Sequence, residues 1–233
     1  MNWEKLPDIV DVADRVCSLL RMTSSAAAPH LLSSDATRIH LIRHGTTMLN
    51  RLNRYRGRRD VALDQGGWED AWRAANELEH AGLTAIYSSP LRRARDTARI
   101  VGDVAGLDAV IDLPGLTNLE YGAWEGLTSE EARAHDPVMF EAYQRADLGA
   151  RCPDGESLEL AERRVLLSLQ TIAALHPGET VAAVSHAAIV RLAIIGVGAK
   201  ERAEWRTVLP NGSVTTFDVV DGVVNLHRLP VAA

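Results

Sequence analysis

Two rhythms of apolar residues alternate along the chain. Arg38 to Ile42 (RIHLI), Thr84 to Tyr87, Ala109 to Leu113 and Thr180 to Val184 (TVAAV) are short apolar or alternating runs, which predicts strands. Between them the apolar positions fall at helical spacing. Trp68, Ala71, Trp72, Ala75 and Leu78 make one such stripe after a polar loop that ends at Gly67. Pro90 opens a second helix, reaching about Val101, at a position where the missing N–H costs nothing. Thr128-Ser-Glu-Glu carries the capping-box pattern and starts a third. Ser157 to Ala174 is a long helix with Leu158, Ala161, Val165, Leu169 and Ile172 on one face. A further helix runs from about Ala187 to Ile195. Ser213 to Val220 and Val223 to Leu229 are joined by Asp221-Gly222, a strong hairpin signal. The alternation predicts an α/β fold of three layers: a mostly parallel sheet flanked by helices, with an antiparallel hairpin at one edge.

The first residues follow neither rhythm. Asp8 to Met22 can form an amphipathic helix, with Val12, Val16, Leu19 and Leu20 on one face. Thr23 to Ala36 is small, polar and proline-containing, as linkers are. The expected organisation is therefore a helical extension and linker over 1–36 and one domain over 37–233. With 46% hydrophobic residues in 233, the chain can bury a sizeable core, which excludes wholesale disorder. The formal net charge of −6 argues against a nucleic-acid binder, though not against local capture of an anion. Cys17 and Cys152 form no framework and no ligand spacing. No apolar run is long enough to span a bilayer, and the N-terminus lacks the basic start of a signal peptide. A cytoplasmic protein with no membrane partner is expected.

The chemistry concentrates at strand ends. His44 directly follows the first strand, within Arg43-His44-Gly45, and His186 directly follows TVAAV. Open α/β sheets bind ligands beyond the carboxyl ends of their strands, so both imidazoles sit at the functional edge. Gly45 would let a reacting group approach the backbone closely. Arginines crowd the same places: Arg43, then Arg51, Arg54, Arg56, Arg58 and Arg59, then Arg92, Arg93, Arg95 and Arg99 after the second strand. Guanidinium forks suit phosphate oxygens. A neutral imidazole is a good nucleophile near pH 7, and its attack on phosphorus divides one hard displacement into two. No metal-ligand spacing and no P-loop is present, so neither a metal nor another cofactor is expected.

Several separated motifs resemble the histidine phosphatase superfamily, also called phosphoglycerate mutase-like, over roughly Arg38 to Phe217. Leu41-Ile-Arg-His-Gly-Thr-Thr47, with Asn50, is similar to the segment of the nucleophilic histidine. Arg54 through Gly57, then Asp60 and Leu63, resemble its continuation. Ser88-Ser-Pro-Leu-Arg-Arg-Ala94 resembles the segment of a second phosphate-binding arginine, which falls on Arg93. Gly122-Ala-Trp-Glu-Gly-Leu127, Pro153-Asp-Gly-Glu-Ser157 and Val184-Ser-His-Ala187 resemble later family elements. The resemblance implies that His44 is the nucleophile and that Arg43, Arg93 and His186 hold the transferring group. It implies that Asn50 and Arg54 contact the substrate phosphate, and Thr46 and Asn118 are further substrate-binding candidates.

Two positions depart from the pattern. Thr46 stands where the family usually has a glutamate, and Asn118 stands where its proton donor usually lies. A carboxamide can orient a leaving oxygen but cannot protonate it near neutral pH. Glu120, two residues on, falls on the same side of an extended segment and is the candidate acid. The implied function is a phosphatase of the phosphoric monoester class acting on a small phosphorylated substrate. A mutase is the alternative within the family, disfavoured by Leu49 before Asn50 and by the short stretch from Leu127 to Arg151. A member with weakened or altered chemistry is the alternative that Asn118 keeps alive. Met139, Phe140 and Tyr143 are candidates for the substrate side of the pocket. A homo-oligomer stays open.

Overall fold

A computed structural model describes residues 36–198 and 208–230. The amphipathic stretch Asp8 to Met22 and nearly all of the linker lie outside the described residues.

The sheet has six strands: β1 (Thr37–Arg43), β2 (Leu83–Ser88), β3 (Val110–Asp112), β4 (Thr180–Ser185), β5 (Val214–Val220) and β6 (Val223–Arg228). Their order is β3-β2-β4-β1-β5-β6. The pairs β1–β4, β2–β4 and β2–β3 are parallel, whereas β1–β5 and β5–β6 are antiparallel. The expected architecture is therefore present, with the terminal hairpin forming one edge. Residues alternate faces along each strand. Ile39, Leu41, Val181, Ala183 and Phe217 pack with α6 (Leu158–Leu175) and α7 (Ala187–Gly196). Ile42, Ile86, Ala182 and Val184 pack with α2 (Gln65–Leu78) and α3 (Arg92–Ala105) on the other face.

Local details correct the sequence reading. A short helix α1 (Met48–Arg51) follows β1, with Thr47 and Asn50 forming a capping box. In α2 the buried stripe is Gly67, Ala71, Ala74, Ala75 and Leu78, while Trp68 and Trp72 stay 41% and 49% exposed. Small residues let α2 approach α3 closely, so the tryptophans are displaced to the rim. Pro90 does not open α3: the helix begins at Arg92, whose N–H donates to Asp60 Oδ1 at 2.7 Å. That cap comes from a distant loop and leaves no local signature. The box at Thr128 forms as expected, starting α4 (Ser129–His135), and Asp136 caps the separate α5 (Pro137–Gln144).

Candidate active site

Sheet register builds the site. Arg43 pairs with Ser185 and Ser88 with Val184, so three parallel strands end level. The next residues, His44, His186 and Ser89, therefore emerge side by side. His44 N–H donates to Ser185 O at 3.0 Å, and Ser89 N–H donates to Val184 O at 2.9 Å. The imidazole centroids of His44 and His186 lie 5.1 Å apart.

Each imidazole is set by a neighbour. His44 Nδ1 lies 2.6 Å from the Gly45 carbonyl oxygen. A carbonyl only accepts, so Nδ1 carries the proton and the lone pair sits on Nε2. Asn211 Nδ2 donates to His44 O at 2.9 Å, and Gly45 N–H donates to Thr97 Oγ1 at 3.0 Å, which fixes the backbone on both sides. His186 Nε2 is 2.8 Å from Ser89 Oγ. Gly45 is required for a reason the sequence did not indicate. A Cβ there would stand 2.1 Å from Gly67 O, so the close approach is that of α2's first turn, not of a reacting group.

Three arginines surround the pair. Arg93 is fully buried, donating Nη1 to Arg59 O at 2.7 Å and Nη2 to Gly57 O at 2.9 Å. Arg43 donates Nη1 to Leu209 O, and Arg56 donates Nη1 to Arg54 O at 3.3 Å. The Nε atoms of all three, with Nδ1 of His186, are buried and have no hydrogen-bond partner among the described residues. Burial, then Arg93, Arg56 and Arg43, hold His44 well below its ordinary pKa. Burial, then Arg93, His44 and Arg56, do the same to His186. Burial also brings Arg43 and Arg93 down to about 9, with Arg56 adding to both, so each stays charged at neutral pH. Clustered cations beside neutral imidazoles make a site for an anion.

The depressed histidines set the acid stability. His40 is also buried, on β1, and burial lowers it to about 4. All three fold with pKa values below 6.5, so below that pH the unfolded chain binds more protons than the folded one. Stability is full above about 6.5 and falls as pH drops, by about 1.4 kcal/mol per pH unit for each histidine. Urea unfolding at neutral pH and at pH near 5 measures this, and His40→Asn should remove roughly a third of the slope. Equal stability at the two pH values would refute neutral burial.

The other sequence candidates are placed differently. Thr46 donates its backbone N–H and its hydroxyl to Asp70 Oδ2, at 2.9 and 2.5 Å, and is engaged away from the histidines. Asn50 accepts from Thr47 through Oδ1 and lines a cavity of about 570 Å³ at this edge of the sheet. Arg54 also lines it, but its Nη1 donates to Gly126 O at 2.6 Å and to Glu131 at 2.9 Å. Asn118 is buried at the cavity wall, its Nδ2 donating to Gly57 O at 3.0 Å, the carbonyl that Arg93 also uses. The structure does not bring Glu120 to the histidine pair. Glu156 bridges the backbone of residue 120, accepting its N–H at 3.1 Å, and the Glu120 carboxylate turns out to Arg58 at 3.2 Å. The segment is not a strand, so the two-residue periodicity does not apply. Glu156 itself is buried on Arg164 at 2.6 Å. Arg164 also donates to the carbonyls of Gly115, Thr117 and Asn118, and so braces the loop that carries Asn118. Tyr143 lines the cavity, whereas Phe140 is in the core, 5.9 Å from Trp124.

Sequence reasoning gave no role to Ser89, Asn211 or Arg191, and left Arg56 among many surface cations. Arg56 lay within the Arg54 to Gly57 segment, which was the available signal. Arg191 lines the cavity on α7, with no sequence signal beyond following His186.

The chain and its fold are similar to known proteins. The chain is 38% identical over 157 residues to the Bifunctional protein Rv2228c of Mycobacterium tuberculosis, covering 67% of this chain and 43% of that one. It thus spans less than half the length of that relative. It is 32% identical over 162 residues to the Metal-independent phosphoserine phosphatase of Arabidopsis thaliana, covering 69% and 68%. The solved structure of Bacillus stearothermophilus YhfR superposes with a TM-score of 0.77 at 31% identity, covering 85% of this chain and 98% of that one. The model of the histidine phosphatase superfamily (branch 1) matches residues 39–231. With its paired histidines at level strand ends and its sheet shared with these structures, the chain belongs to the histidine phosphatase superfamily, branch 1.

Proposed function

We propose that this protein is a metal-independent phosphatase that moves the phosphoryl group of a small phosphorylated substrate onto His44 and then onto water. One observation carries the reading: His44 presents an unprotonated Nε2 among buried, unpartnered donors on Arg43, Arg56, Arg93 and His186. A phosphoryl group offers the oxygens those donors need. As His44 attacks, charge spreads over the equatorial oxygens, and preset guanidinium groups stabilise it without reorganising. The Ser89 contact orients His186 beside the same group. Water then cleaves the phosphohistidine and restores the imidazole. The phosphoserine phosphatase relative supports a small anionic substrate. Asn118, Asn50 and Tyr143 at the cavity wall would meet the leaving group.

The test is phosphate release from sugar phosphates, nucleotides, phosphoserine and an activated aryl phosphate, with acid-labile phosphohistidine trapped in parallel. His44-dependent turnover supports the proposal; bound phosphate compounds without any phosphohistidine would leave only the alternative of weakened or altered chemistry that Asn118 keeps alive. Glu120→Gln should change turnover of alkyl and aryl phosphates alike, by no more than about threefold, because its carboxylate sits on Arg58 at the surface. A selective loss on alkyl phosphates would make Glu120 the acid.

A further inference from the structure

Cleavage at His44 requires the departing oxygen either to be protonated or to carry its charge away. An alkoxide cannot leave near neutral pH, so an alkyl phosphomonoester needs an acid. Among the described residues, the cavity lining contains no carboxyl group. Asn118 stands at its wall with the carboxamide fixed on Gly57 O. Glu120 and Glu156 are engaged by Arg58 and Arg164. The hydroxyls of Tyr121 and Tyr143, also in the lining, bond each other at 2.9 Å, and burial raises both phenols.

Charge points the same way. A terminal phosphoryl group brings two negative charges, which Arg43 and Arg93 match. Arg56 is additional: it lines the cavity, its Nε is buried without a partner, and its field reaches both imidazoles. Arg191 lines the same cavity and lies near enough to Arg43 and Arg56 to disfavour the charge on each. Positive charge thus extends from the histidine pair along the side where a leaving group would sit.

We propose that the preferred substrate is a phosphoanhydride, in which the group leaving from His44 is itself a phosphate held by Arg56 and Arg191. This rests on the reading of His44 as the phosphoryl acceptor. The Nε2 lone pair of His44 forms the N–P bond as the bridging P–O bond breaks, and that electron pair stays on the departing phosphate. No proton is needed, since a phosphate with a second pKa of about 6 is stable as an anion at neutral pH. Water then forms a P–O bond, the N–P pair returns to His44, and the water proton passes to the released phosphate or solvent.

The experiment compares kcat/KM for inorganic pyrophosphate and ADP with that for phosphoserine and glycerol phosphate, using p-nitrophenyl phosphate as a reference. The full chain should prefer the anhydrides over the alkyl esters by about 100-fold or more. Arg56→Gln and Arg191→Gln should each lower pyrophosphate turnover about 10-fold further than aryl phosphate turnover. Asn118→Glu should raise glycerol phosphate turnover relative to pyrophosphate, by restoring an acid. Alkyl esters turned over as well as pyrophosphate by the unaltered protein would overturn the proposal. Phosphohistidine formed from phosphoserine but not from pyrophosphate would do the same while leaving the phosphatase reading intact. No phosphohistidine from any donor would remove both.

Discussion

His44→Ala should lower phosphate release by more than about 10³-fold and eliminate the acid-labile phosphoenzyme, while the protein still folds. The chemical loss follows from the tautomer. His44 Nε2 is held unprotonated beside the guanidinium groups, because Nδ1–H donates to the Gly45 carbonyl. His186 cannot substitute: its Nε2 is committed to Ser89. Folding survives because the bonds that fix residue 44 are backbone bonds, from its N–H to Ser185 and to its carbonyl from Asn211. Alanine keeps both. It also removes a buried imidazole whose protonation is suppressed, so the variant should lose less stability on acidification than the parent. Undiminished turnover in a folded His44→Ala protein would end the phosphohistidine account.

Arg93→Met should cost about 10²- to 10³-fold in kcat/KM, the scale of losing a preset donor to developing charge. Methionine approximates the stem without the guanidinium. Arg93 is first among the charges acting on both histidines, so its removal should also raise the imidazole pKa values, although burial still holds them low. Histidine proton titration by NMR reads that shift independently of turnover. Arg93→Lys should rescue little. The native side chain spans two carbonyls, Arg59 O and Gly57 O, while its Nε remains buried, and a single ammonium cannot reproduce that fork. Loss of activity without movement of either histidine would place Arg93 outside the histidine pair.

The sequence showed much of this scaffold because strands and helices have local periodicities. TVAAV, between two parallel neighbours, and RIHLI beyond Arg38, between one parallel and one antiparallel neighbour, are buried on both faces, as suits strands inside a sheet. Thr128-Ser-Glu-Glu caps its helix with its own neighbours, so the motif is self-contained. Where the partner is remote, the sequence misleads. The start of α3 is capped by Asp60, and Gly45 is demanded by Gly67. The tryptophans of α2 follow a helical period, yet close helix packing selects the small residues between them.

The residues themselves determined the histidines at strand ends, the abundance of arginine and the absence of an acid at position 118, since these are matters of identity and order. Only the tertiary structure decided which arginines count. Arg54 and Arg58 are neutralised by Glu131 and Glu120, whereas Arg43, Arg56 and Arg93 are buried beside the imidazoles with their Nε donors unpaired among the described residues. The same register that sets Arg43 against Ser185 brings His44 to His186, across 142 positions of chain (186 − 44). A charge becomes a binding group when burial strips its water and no carboxylate pairs with it directly, and sequence spacing carries no information about either.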